Sequence, residues 1–150
     1  MEHLASLHLV HRDLAARNVV VSSNLNVKIS NISLCQGIYS RDYFLYRQKL
    51  LPLRWMAPEA LLEDDCLVSS DVWSFGVFVW EVFSFAGLPL AHKTDDEVLR
   101  GITTGENQLE AISGCPERLF KMVLGCTAWS PVDRPSFSEI VNMLSEVVNC

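Results

Sequence analysis

One hundred and fifty residues suit a single domain, able to bury roughly 70% of the surface that its unfolded chain exposes. An apolar share of 49% argues against a disordered or low-complexity chain, and a formal charge of −6 disfavours nucleic acid or an anionic membrane as principal partner. The five cysteines are odd in number, scattered and never paired as Cys-x-x-Cys, so neither a disulfide framework nor a zinc knuckle is signalled, and a reducing compartment fits best.

The chain starts MEHLASLHLV, with Glu2 where a secretory leader carries positive charge and with too short an apolar run to serve as one. Two β-branched runs, Val19–Val21 and Val27–Ile29, flank the turn chemistry of residues 22–26 and predict a small hairpin. Residues 34–53 mix three tyrosines with charges and no steady period, which reads as a long exposed loop. Beyond Pro58 the pattern turns helical. Ser69, Ser70 and Asp71 supply cap residues for DVWSFGVFVWEVFSF, apolar around nearly its whole circumference and therefore a buried central helix. Its apolar run, Val72 to Phe85, carries Glu81 and falls short of the ~18–20 residues that a bilayer requires, so no membrane span is expected in this chain.

Thr94 with Glu97 forms a capping box for a helix to about Thr103, before Gly105. Pro116 at a first helical position opens ERLFKMVLGC, and Ser136 with Glu139 caps FSEIVNMLSEVV. Without repeats or a linker, the sum is one mainly helical domain with a minor hairpin.

The chemistry concentrates before the first strand, in His11-Arg12-Asp13-Leu14-Ala15-Ala16-Arg17-Asn18. Phosphoryl transfer needs a carboxylate to accept a hydroxyl proton and oxygen ligands to hold magnesium on the phosphates. Asp13 could be that base, Arg17 would place a cation beside it, and Asn18 can offer a carbonyl oxygen to the metal. Further on, Asn31-Ile32-Ser33 is formally an N-glycosylation acceptor.

HRDLAARN resembles the catalytic loop of protein kinases in its tyrosine-kinase form. The resemblance continues in order through VKISNIS, where the metal-binding Asp-Phe-Gly is expected, LLPLRWMAPE (50–59), SSDVWSFGV and SPVDRPSF (130–137). It covers essentially the whole chain and implies a mainly α kinase C-terminal lobe: a helical bundle around a buried central helix, with a small β-hairpin and the N-lobe absent. The implied organisation is one partial kinase domain, 1–150, with catalytic loop 11–18, degenerate metal-binding turn 31–33, activation-type loop 34–57 and helical subdomain 58–150.

By the same resemblance Asp13, Arg17 and Asn18 are vestigial or weak catalytic residues, Pro52 shapes the platform for an acceptor tyrosine, and Tyr39 and Tyr43 are phosphorylation positions. Asn18 and Asn31 fall at metal positions, with aspartate expected at 31. Asn31 is neutral with one acceptor oxygen, and losing a full charge beside a divalent ion should cost several kcal/mol. Ser33, in place of glycine, stiffens that turn. The sugar reading recedes, because a strand-to-loop junction facing a cleft offers no lumenal exposure.

His11, Arg12, Glu59, Asp71 and Arg134 are implied to be structural, Glu59 with Arg134 as a buried ion pair and Asp71 as a cap on the catalytic-loop backbone. Arg12 could also pair with a phosphate on the loop. Thr127 stands where the family usually has tryptophan, and Trp129 lies two positions later, which puts the packing there in doubt. His3, His8 and His92 show no ligand spacing. Trp73, Trp80, Phe75, Phe78 and Phe83 read as core.

IYSRDYFLYRQKLLPLRWMAPEALLEDD looks like the tyrosine-protein kinase-like 7 receptors, also called colon carcinoma kinase 4, with insect off-track as a cousin. That resemblance implies a pseudokinase lobe on the cytoplasmic side of the plasma membrane within a single-pass receptor. Its role would be a protein-interaction scaffold in Wnt and planar cell polarity signalling. ATP and magnesium are implied by the family, yet none is expected for this fragment. Implied partners are signalling proteins of the Wnt pathway and the missing N-lobe, and not nucleic acid. A weakly active tyrosine kinase and a truncated structural fragment stand as alternatives.

Overall fold

The computed structural model describes residues 1–30 and 40–148, so the expectations on Asn31, Ile32, Ser33 and Tyr39 lie outside it. In chain order the elements are α1 (Glu2–Ser6), β1 (Val19–Val21), β2 (Val27–Ile29), β3 (Phe44–Tyr46), β4 (Lys49–Leu51), α2 (Pro58–Leu62), α3 (Val68–Phe83), α4 (Asp95–Thr104), α5 (Glu117–Cys126) and α6 (Phe137–Val148). Short 3-10 turns at Ala16–Asn18, Ser40–Asp42, Leu53–Trp55 and Pro131–Asp133 connect them. The fold is mainly helical, the architecture that the kinase C-lobe resemblance implies.

α3 is the centre. Val72, Trp73, Val77 and Val79 are buried on it, and the core extends through Leu53, Val98, Val123 and Ile140. Full burial of each such side chain contributes about 1.5–3 kcal/mol. α5 lies so close to α3 that a Cβ at Gly76 would meet Cys126 Cβ at 2.7 Å, so Gly76 permits the contact that any side chain would push apart. Burial pushes the Cys126 thiol up to about 12, keeping it protonated against the helix.

The predicted ends of α3 need correction. The helix starts at Val68, so Ser69, Ser70 and Asp71 sit inside its first turn, and the Ser70 hydroxyl accepts from Leu67 N–H at 3.1 Å. It stops at Phe83, leaving Phe85 95% exposed with a left-handed φ of 53°. Pro116 is the cap residue, one position before α5. The capping boxes of α4 and α6 are present. Thr94 N–H donates to Glu97 Oε2 at 2.7 Å and Ser136 N–H to Glu139 Oε2 at 2.7 Å. α4 ends on Gly105 at φ 74°, the left-handed stop that glycine allows.

β1 and β2 pair antiparallel, Val19 with Ile29 and Val21 with Val27. This hairpin is exposed: Val21 is 57% and Val27 63% accessible. The stretch read as irregular loop holds a second antiparallel hairpin, Phe44 opposite Leu51 and Tyr46 opposite Lys49. Its two-residue turn puts Arg47 at φ 47° and Gln48 at φ 65°. That backbone twist is usually announced by Asn-Gly, and here it is not. No helix among the described residues is long and apolar enough to cross a membrane.

Candidate functional site

The His11–Asn18 loop is fastened from below by α3. Asp71 accepts from His11 N–H at 2.6 Å and Arg12 N–H at 2.9 Å, and Glu81 accepts from Ala16 N–H at 2.9 Å. Both carboxylates are buried, and burial raises each carboxyl above its ordinary range, against the loop N–H groups that favour the charged form. Arg12 is held at φ 73°, a strained conformation for a residue with a Cβ, and its backbone bond to Asp71 helps to fix it there. Its side chain is exposed.

His11 accepts from Asp13 N–H at Nδ1, 3.3 Å, which leaves Nε2 to donate to Ser30 O at 3.3 Å. The ring thereby ties the loop to the end of β2. Asn18 is almost wholly buried; its Nδ2 donates to Asp13 O at 2.6 Å, and its own carbonyl accepts from Ser30 N–H at 2.8 Å.

Above this frame, Asp13 meets residues from the loop that follows. The Tyr43 hydroxyl donates to Asp13 Oδ2 at 2.7 Å and accepts from Arg17 Nε at 3.0 Å, while Arg17 also pairs with the other Asp13 oxygen. Arg17 lies over the rings of Tyr43 and Trp55, at 4.7 and 4.5 Å from their centroids, and 3.6 Å from Asp42. Burial, with the hydrogen bond to the Asp13 carboxylate, pushes the Tyr43 phenol up to about 12. The Arg17 guanidinium is held above its usual range: burial opposes the charge, but Asp13 and Tyr43 outweigh it.

Asp13 therefore stands at the distance at which a carboxylate accepts a phenolic proton, and the phenol in place is the chain's own. Tyr43 is 8% exposed, so this hydroxyl is withdrawn from solvent.

Among the described residues Asn18 Oδ1 is buried with no hydrogen-bond partner, which leaves it open to a cation, whereas the similarly buried Asp42 Oδ1 already faces Arg41 at 3.3 Å. The rest of the donor set does not suit magnesium. Asp13 has both oxygens engaged by Arg17 and Tyr43, and no group of three or more His, Cys, Asp or Glu able to hold a metal occurs among the described residues. Among the described residues, one neutral oxygen does not fit a divalent cation carrying phosphates.

Pro52 is buried, its carbonyl accepting from Trp55 N–H at 2.9 Å at the start of the Leu53–Trp55 turn. Away from Asp13, Glu59 and Arg134 form a two-pronged pair at 2.6 and 2.9 Å. Burial alone would raise the Glu59 carboxyl, but the hydrogen bonds from Arg134 and Ser70 bring it below its ordinary value. His3, His8 and His92 are exposed.

Two contributors escaped sequence reasoning. Glu81 is the lone charge in the apolar run Val72 to Phe85, a signal of a buried polar task. Arg54 donates to Pro89 O, Leu90 O, Lys93 O and Asp95, fixing the loop before α4. Nothing in the local sequence marks Arg54 as that clamp.

A profile of the protein tyrosine and serine/threonine kinase family matches residues 1–144. The chain is 51% identical over 146 residues to the inactive tyrosine-protein kinase 7 of Gallus gallus and 47% identical to that of Homo sapiens. Each alignment covers 97% of this chain and 14% of the relative. The NT-3 growth factor receptor of Sus scrofa is 41% identical over 145 residues, 96% of this chain and 18% of that receptor. The chain thus spans less than a fifth of the length of these relatives.

Proposed function

Because the chain belongs to the protein tyrosine and serine/threonine kinase family, we propose that it is a catalytically impaired, tyrosine-kinase-like lobe that acts as a protein-interaction scaffold rather than as a phosphotransferase. The observation that carries this reading is the Tyr43 hydroxyl on Asp13, with Arg17 closing over both. An incoming phenol finds the acceptor carboxylate occupied. Asn31, at the position where the family's magnesium carboxylate is expected, adds a neutral side chain to a neutral Asn18. Two relatives at about half identity carry the word inactive in their names, which supports the same conclusion.

The finer role is a scaffold on the cytoplasmic side of a single-pass receptor, joined to an N-lobe and to Wnt and planar cell polarity signalling proteins. It rests on the likeness to the tyrosine kinase 7 receptors and needs its own test. Exchanging the chain, within such a receptor, for the matching lobe of an active receptor kinase should abolish recruitment of those proteins. Unchanged recruitment would place the scaffold elsewhere.

One observation favours weak kinase activity instead: Asn18 Oδ1 is unpaired and buried. The two readings separate in a thermal-shift and peptide-phosphorylation assay on the complete kinase-like domain, wild type beside Tyr43→Phe and Asn31→Asp. The scaffold reading expects no magnesium-dependent stabilisation by ATP and no phosphopeptide from wild type. Magnesium-dependent stabilisation together with peptide phosphorylation would refute it.

A further inference from the structure

α5 and α6 leave an open groove of about 600 Å³ between them, on a face that shares no lining residue with the Asp13 site or the β1–β2 hairpin. Its apolar lining comes from Met122 and Gly125 of α5, Val132 and Pro135 on the connection, and Met143 and Val147 of α6. Among the described residues nothing beyond its own helix fills the groove at Gly125, where a Cβ would meet only Pro135 Cδ, at 4.0 Å. Val132 is 89% and Met143 42% exposed, so apolar side chains stand in water along one furrow rather than singly. The two methionines can adjust to a facing surface.

The charges on the two walls have opposite signs. α5 contributes Arg118 and Lys121, and α6 contributes Glu139 and Glu146, with Asp133 on the connection adding a further carboxylate. Lys121 meets Glu117 one turn away at 2.7 Å, but these side chains are 71% and 81% exposed, and so open a pair is readily exchanged. A wholly basic or wholly acidic partner would be repelled by one wall. A second copy of the same face would not. Turned about a two-fold axis running along the groove, α5 of one copy lies over α6 of its partner, so both cationic walls face acidic ones and the apolar strips meet between them. An axis across the groove would set α5 on α5 and bring like charges together.

We propose that this groove is the contact face of a symmetric homodimer, with α5 of each copy packed on α6 of the other. The proposal is independent of whether Asp13 is catalytically competent. Sedimentation equilibrium of the intact chain tests it: the weight-average mass should climb with concentration from 16.9 kDa toward twice that value. Val132→Asp, at a side chain with almost nothing to lose in the single copy, should hold the chain monomeric.

Lys121→Glu and Glu146→Lys should each raise the dissociation constant about tenfold, since every substitution counts twice in a symmetric pair. Mixing those two variants should restore association, because each altered wall then meets its opposite charge. A wild type that stays monomeric would leave the groove to a partner of different sequence and overturn the proposal. A dimer indifferent to Val132→Asp and to both charge reversals would use another face and overturn it equally, as would a mixture of the reversed chains that fails to associate.

Discussion

The Tyr43 phenol sits between a carboxylate and a guanidinium, and its proton is held by burial and by Asp13 more strongly than Arg17 loosens it. Its folded value of about 12 lies above the ordinary 10, so between those limits the native state keeps a proton that the unfolded chain releases. Stability must therefore fall as pH rises through this window. Phenolate absorbance should show one tyrosine ionising near the top of that range, and the step should vanish in Tyr43→Phe; an unchanged titration would remove Tyr43 from Asp13. A second residue-scale prediction concerns Asp71. Asp71→Ala leaves the buried His11 N–H and the Arg12 N–H unpaired and should cost about 2–4 kcal/mol in chemical denaturation. Asp71→Asn, keeping one acceptor, should cost less. The residue types from His11 to Asn18 were legible as a group because they are contiguous. Their meeting with Tyr43 was not, since the path of the intervening loop is a tertiary matter and Tyr43 lies 30 positions from Asp13.

Elements were readable where local chemistry announces them. Thr94 with Glu97 and Ser136 with Glu139 advertise helix starts by side-chain oxygens that answer specific N–H groups. Thr94→Ala should accordingly cost about 1 kcal/mol, visible as a lower denaturation midpoint. β3 and β4 escaped notice because Arg47 and Gln48 carry the left-handed φ values that asparagine and glycine would have declared. That same strain makes a prediction: Arg47→Asn with Gln48→Gly should stabilise the chain by roughly 1–2 kcal/mol. A loss of stability would mean that contacts of Arg47, which stacks on Tyr46 at 5.0 Å, outweigh the backbone relief. α3 was legible in kind from its all-round apolar character. Its ends were not, since Leu67 caps a helix that starts before the serines and the exposed Phe85 belongs to the turn beyond.

At the scale of the molecule, the helical body is held to the loops by few, deeply set charges. Glu59 and Arg134 join the start of α2 to the approach of α6, and Arg134 also donates to Ser69, Ala128 and Trp129 carbonyls. Glu59→Gln or Arg134→Met alone should cost about 3–5 kcal/mol, because each strands a buried partner. The double apolar replacement should cost far less than the sum. The lowered Glu59 carboxyl sets the sign with acid: its stabilisation is complete above the ordinary glutamate range and is lost as pH falls through the folded value below it.

The partners of this bond are 75 positions apart in the chain. Closing so long a loop early would be slow, and the pair can lock only after α2, α3 and the segment before α6 have already met. Its contribution is then absent at the folding barrier and present behind it. Breaking it should leave the refolding rate almost untouched while hastening unfolding, so that Glu59 and Arg134 govern how long a folded copy survives rather than how quickly one is made.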